Sequence, residues 1–141
     1  MRMVTRMIDL HRMRFLLNRL PMARFRVEKA MSRATRTTAQ ITGMPHGSGV
    51  SDPVASGVEL LEAAREAYLR IRTELTNMQD ELRPMIERLD DPLERTAMSM
   101  RYMEGHSARE IAFDLCYSER RIFQVLKDAE QKISLISVAH Q

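Results

Sequence analysis

The 141 residues predict an all-α protein: a long antiparallel helical hairpin, coiled-coil-like in its seam, followed by a C-terminal helix-turn-helix. Three observations carry this. Leu61, Tyr68, Leu75, Leu82 and Leu89 recur every seven residues, with Ala64, Ile71, Met78 and Met85 between them, which is the three/four alternation of a helical seam. Twelve Met, no Trp, three Tyr and four Phe point to a thin, helix-rich core. Finally, Asp and Ser stand just ahead of amphipathic runs, twice with Glu three residues on, as helix caps do.

The first helix is expected from Met3 to about Ile41. Its apolar stripe is Leu10, Met13, Leu17, Leu20, Val27, Met31, Ala34 and Ile41, interrupted by Arg24 and Thr38. Pro21 removes one rung of the hydrogen-bond ladder, so a kink or short break is expected there.

The stretch TGMPHGSGVSDP, residues 42–53, is a connector, because three Gly and two Pro leave no helix standing. It is not a phosphate-binding loop, since Gly49 is followed by Val50 and Ser51 rather than by Lys-Ser/Thr. Asp52 is placed to cap the next helix, with Pro53 at its first position.

That second helix spans Pro53 to Asp90 and runs through Pro84 without a shift of register. Both long helices should measure roughly 55–60 Å at ~1.5 Å per residue. A short connector between helices of equal length implies an antiparallel hairpin. A two-helix seam buries little, so Leu61, Tyr68, Ile71, Leu75, Met78 and Leu82 are expected to serve as the seam of the arm and of a dimer. Residues 1–90 form this arm, and residues 91–141 a separate helix-turn-helix domain.

The second domain opens at DDPLE. Asp91 is the expected cap, Pro92 the first helical residue, and Glu94 sits three after the cap. This helix turns Leu93, Ala97, Met100 and Met103 to one side and ends at Gly105. Ser107 to Glu110 reads as a capping box for a helix burying Ile111, Ala112 and Leu115. Cys116 and Tyr117 make the turn, Ser118 caps the last helix, and Ile122, Val125, Leu126 and Ala129 face inward. The tail ISLISVAHQ carries Ile133, Leu135, Ile136 and Val138, which should pack against the hairpin or a second subunit.

The outward side of that last helix bears the chemistry of base reading. Arg donates a bidentate pair to guanine, Gln to adenine, and Glu accepts from cytosine. Glu119, Arg120, Arg121, Phe123 and Gln124 are the candidate base readers; Ser107, Arg109, Ser118 and Lys127 are the candidate phosphate contacts. The charge distribution qualifies this. Residues 1–50 carry ten Lys/Arg against two acids, whereas residues 105–141 carry five of each. Nonspecific DNA affinity comes from cations that release condensed counterions, so it would have to come from the first helix or from dimerisation. The bland alternative is that the basic first helix lies on the acidic excess of the second.

The segment LDDPLERTAMSMRYMEGHSAREIAFDLCYSERRIFQVLKDAEQKI, residues 89–133, resembles region 4 of sigma-70 family factors. The likeness lies in Arg101-Tyr102, Gly105-x-Ser107, Glu110-Ile111-Ala112 and Ser118 opening the recognition helix. With ITGMPHGSGVSDPV before a long helix, the chain as a whole resembles small phage late-gene transcription regulators of the ArpU/RinA type. The resemblance implies a late-gene transcription regulator with a sigma-like helix-turn-helix; the expectation is an activator that binds promoter double-stranded DNA and whose helical arm dimerises or contacts RNA polymerase. It departs from the sigma pattern at Cys116, where Gly is usual, and at Phe123, where a polar residue is common. A left-handed Cys116 would cost about 1 kcal/mol relative to Gly.

Two further readings compete: a protein-interaction module whose helix-turn-helix is purely structural, and a phage terminase small subunit. An enzyme is not expected, and no catalytic residue, cofactor or metal site is assigned. His11, His46, His106 and His140 are scattered without metal-ligand spacing, and Cys116 has no nearby base except His106. One cysteine suits a reducing cytoplasm, that of the host for a phage protein. No apolar run approaches the ~20 residues needed to cross a bilayer.

Overall fold

The computed structural model describes residues 8–41 and 53–139. The protein is all-α, and its two long N-terminal helices pack against each other. These are α1 (Leu10–Ile41) and α2 (Pro53–Glu87), followed by α3 (Pro92–Met98), α4 (Ala108–Leu115) and α5 (Glu119–Ala139). The connector and its cap Asp52 lie outside the described residues.

Helix α1 starts later than its sequence pattern suggests. Asp9 is its cap: the carboxylate accepts from the Arg12 N–H at 2.9 Å, and the Asp9 carbonyl accepts from Met13 N–H at 3.1 Å. The helix then continues through Pro21 as one element, without the break allowed for there. Helix α2 likewise runs unbroken through Pro84.

By its packing the chain forms two compact units. One comprises Asn18–Thr73; the other takes in the chain up to Leu17 together with Glu74–Gln141. The expected boundary between Asp90 and Asp91 falls inside this second unit. The reason is its core, in which Met13 of α1 and Leu82, Ile86 and Leu89 around the end of α2 join Ala97, Met98, Tyr102, Ile111, Ile122, Val125, Ala129 and Ile133. The C-terminal helices therefore close over the ends of the long helices instead of folding apart from them.

The middle unit is different in kind. Ala23, at 7 % exposure, is its only buried side chain among the described residues. Met31, expected inside, is 46 % exposed, while Ala23, outside the anticipated stripe, is buried, as is Leu16 in the other unit. The helices approach closely here. A methyl group added at Gly57 would lie 3.6 Å from the Ala34 Cα.

Helix α3 is capped by Asp91, whose carboxylate accepts from the Leu93 N–H at 2.9 Å, with Pro92 at the first position. It does not end as a plain α-helix. Residues Ser99–Met103 form a π-type turn, with Glu104 N–H bonded to the Ser99 carbonyl at 3.2 Å. Gly105 follows with φ of +79°, a left-handed conformation open to Gly without Cβ strain. The His106 N–H then reaches the Met100 carbonyl at 2.9 Å. Gln79 of α2 donates its side-chain amide to the Tyr102 carbonyl at 2.9 Å, satisfying an acceptor that the end of a helix leaves open. The widened turn carries Tyr102 to full burial beside Met98.

Candidate nucleic-acid interface

The helix-turn-helix is built by local signals that the sequence spells out. The Ser107 hydroxyl accepts from the Glu110 N–H at 3.2 Å, and the Glu110 carboxylate accepts from the Ser107 N–H at 3.2 Å, completing the capping box. At the other end of α4, Tyr117 N–H bonds to the Ala112 carbonyl at 3.0 Å and Cys116 N–H to the Phe113 carbonyl at 3.4 Å. This pair of bonds is the Schellman arrangement, and it requires a left-handed residue. Cys116 supplies it at φ 60°, ψ 40°, the one described non-glycine residue with positive φ. Ser118 then caps α5 by accepting from the Arg121 N–H at 3.1 Å.

Two faces of α5 separate cleanly. Ile122, Val125, Leu126, Ala129 and Ile133 are buried against α3 and α4, and Ala112 lets the two motif helices touch. Arg120, Phe123, Gln124 and Lys127 follow the same three/four spacing on the opposite side, and all are exposed, as are Glu119 and Arg121. From Glu119 to Lys127 this ridge is ~12 Å long at 1.5 Å per residue, about the width of a B-DNA major groove. Among the described residues no ion pair or side-chain hydrogen bond engages Arg109, Arg120, Arg121, Gln124 or Lys127. Their donors are uncommitted.

The candidate phosphate contacts divide. Arg109, Ser118 and Lys127 are exposed and Ser107 is half-buried. The Ser107 and Ser118 oxygens are already held as acceptors in caps, leaving each hydroxyl hydrogen to be donated. Three exposed aromatic rings surround the motif: Phe113 at 84 %, Phe123 at 57 % and Tyr117 at 47 %. Phe113 escaped the sequence reading, although its place on the side of α4 away from Ile111 and Ala112 was available as a signal.

His106 is the main electrostatic feature nearby. Its Nδ1 lies 3.0 Å from Glu110 Oε2 and its Nε2 3.1 Å from Glu104 Oε2. The hydrogen bond to Glu110 raises the imidazole above its ordinary range, and the same bond holds the Glu110 carboxyl below its own. Arg101 donates to the His106 carbonyl at 3.0 Å. Glu94 is buried, and Lys132 of α5 covers it with Nζ–O distances of 2.7 and 3.0 Å.

The expected dimer seam sits within one chain. Leu82 and Leu75 are buried, Met78 packs on the core, and Leu61, Tyr68 and Ile71 are half-buried. In the tail, Ile133 enters the core as expected, but Leu135 is 70 % exposed; Val138 lies outside the described side chains. No helix among the described residues is long and apolar enough to cross a membrane.

The chain belongs to a family of proteins of unknown function, DUF1492, whose profile matches residues 52–134. That match runs from the start of α2 into α5 and leaves α1 outside it. Comparison with curated proteins and with solved structures returned no match.

Proposed function

We propose that this protein is a DNA-binding regulator of transcription, a phage late-gene activator. In this reading it docks α5 in the major groove of promoter DNA, and its helical arm dimerises or contacts RNA polymerase. The observation that carries it is the two-faced α5. A fixed apolar side presents Arg120, Phe123, Gln124 and Lys127 as a free, rigid ridge on a capped tight turn. Arg120 and Gln124 are the base readers, the ring of Phe123 offers an apolar contact for a thymine methyl, and Lys127 and Arg109 meet phosphates. The likeness of residues 89–133 to sigma region 4, and of the whole chain to the ArpU/RinA type, supports the same assignment. The test is a gel shift with promoter fragments of the encoding genome, comparing the wild type with Arg120→Ala and Gln124→Ala.

A second reading is a protein-interaction module. The equal count of acids and bases over residues 105–141, together with the exposed rings of Phe113, Tyr117 and Phe123, favours it. Salt distinguishes the two, because phosphate contacts weaken steeply as salt rises and apolar contacts do not.

A further inference from the structure

Among its described residues the unit Asn18–Thr73 has no core of its own. Ala23 alone is buried among its described residues, while Met22, Phe25, Leu60 and Leu69 are each more than half exposed. Two helices that bury so little side chain do not hold together well in water, since helices in proteins draw most of their stability from tertiary packing. Something must cover this unit, and its surface says what.

On one side a groove of about 370 Å³ runs between α1 and α2. Its floor is Gly57, Ala63 and Ala67, small enough for another helix backbone to come close, with Leu60 as the one large apolar side chain among them. Its α1 rim is basic, formed by Arg26, Lys29 and Arg33. The α2 side carries the complement. Glu59, Glu62 and Glu66 each precede one of Leu60, Ala63 and Ala67, so an acidic strip runs beside the apolar one at the same spacing, fully on the surface. No ion pair engages Arg26, Lys29, Glu59, Glu62 or Glu66 among the described residues.

We infer that this groove is the dimer interface, occupied by α2 of a second copy of the chain. One surface holds a basic rim, a small-residue floor and an acidic strip in that order. A two-fold axis therefore sets each rim against the other copy's strip, and both floors against each other, as a closed isologous contact demands. Four helices then share one core, the layout in which such ribbons become stable. A nucleic acid would satisfy Arg26 and Lys29 but leave the apolar floor uncovered, which is why a helix is the better occupant. The inference names the surface for the dimerising arm of the proposed regulator and rests on that reading for the arm's role alone. It involves none of the α5 ridge residues.

The experiment is light-scattering mass measurement of the full chain, with circular dichroism to confirm helix content. The wild type should weigh twice its 16.4 kDa. Ala67→Glu, which puts a charge on the floor, should weigh as a monomer. So should Arg26→Glu/Lys29→Glu and, separately, Glu62→Lys/Glu66→Lys. Mixing these two charge-reversed proteins should restore the dimer, because the acidic rim of one then faces the basic strip of the other, and the native rim faces the native strip. A wild-type monomer, a larger ring, or a dimer untouched by all three variants would overturn the assignment. So would a failure of the mixed pair to associate while both remain helical. Loss of DNA binding in the rim variant without a change of mass would assign the groove to nucleic acid instead. Dimerisation without DNA binding would spare this inference and sink the regulator.

Discussion

The Tyr102 hydroxyl donates to Glu130 Oε1 at 2.5 Å, tying the end of the α3 segment to the middle of α5. Tyr102 is fully buried, and its burial, reinforced by Glu130, pushes the phenol well above its ordinary range. Tyr102→Phe keeps the ring but strips Glu130 of this partner. The expected cost is about 1.5–3 kcal/mol, the range for hydrogen bonds to charged groups, read from urea unfolding. Because the folded phenol ionises later than the unfolded one, stability should be undiminished below the unfolded value near 10. It should fall as pH rises beyond that. Phenolate absorbance during alkaline titration should show one tyrosine ionising only as the protein unfolds.

His106 predicts a pH optimum for the helix-turn-helix. Its imidazole is raised from 6.5 in the fold, so its contribution is complete below that value and is lost as pH climbs through the raised one. Glu110 is lowered from 4.5, so its contribution is complete above that value and is lost as pH falls through the depressed one. Thermal unfolding should therefore show greatest support from this pair between about 4.5 and 6.5. His106→Gln should flatten the high-pH side of the profile. An unchanged profile would mean that the contacts at 3.0 and 3.1 Å are too exposed to matter.

Cys116 holds a left-handed conformation that side chains resist and glycine accepts. Cys116→Gly should raise stability by about 1 kcal/mol without altering the motif, measured as a shift of the urea midpoint at constant slope.

Glu94 sits at 5 % exposure under Lys132, which is itself half in water. Lys132→Ala leaves a buried carboxylate without its cation and should lower stability, read as a fall of the urea midpoint. The double variant Glu94→Gln/Lys132→Met should lose less than the sum of the single changes, because the charge and its partner leave together.

The parts of this fold written in short-range chemistry were legible in the sequence. Asp91-Pro92, the Ser107–Glu110 box and Ser118 each specify a helix start within four residues, and the stripe from Leu75 to Leu89 specifies the buried side of α2. What escaped depends on partners far along the chain. The π-type turn at Ser99–Met103 goes with Gln79 reaching the Tyr102 carbonyl and Glu130 reaching its hydroxyl, contacts that no local pattern encodes. Burial of Glu94 depends on Lys132, thirty-eight residues away. Asp9 has the chemistry of a cap, but the apolar pattern continues in front of it to Met3, so the pattern alone does not place the start of α1 there. Met31 fits the stripe spacing of α1 and yet lies exposed, because the unit around it lacks a core to receive it. At the interface, outward Arg120, Gln124 and Lys127 followed from the period of α5, while exposed Phe113 was missed.

The most direct measurement is the affinity of the full-length protein for the genomic fragments it selects, at low and moderate salt, with Arg120→Ala and Gln124→Ala beside the wild type. Each substitution should weaken specific binding by about 1–3 kcal/mol and relax the preference at one base pair, while leaving helix content and oligomeric mass unchanged. Wild-type affinity in both variants, or no binding at low salt, would contradict the assignment of α5 as a reader of DNA.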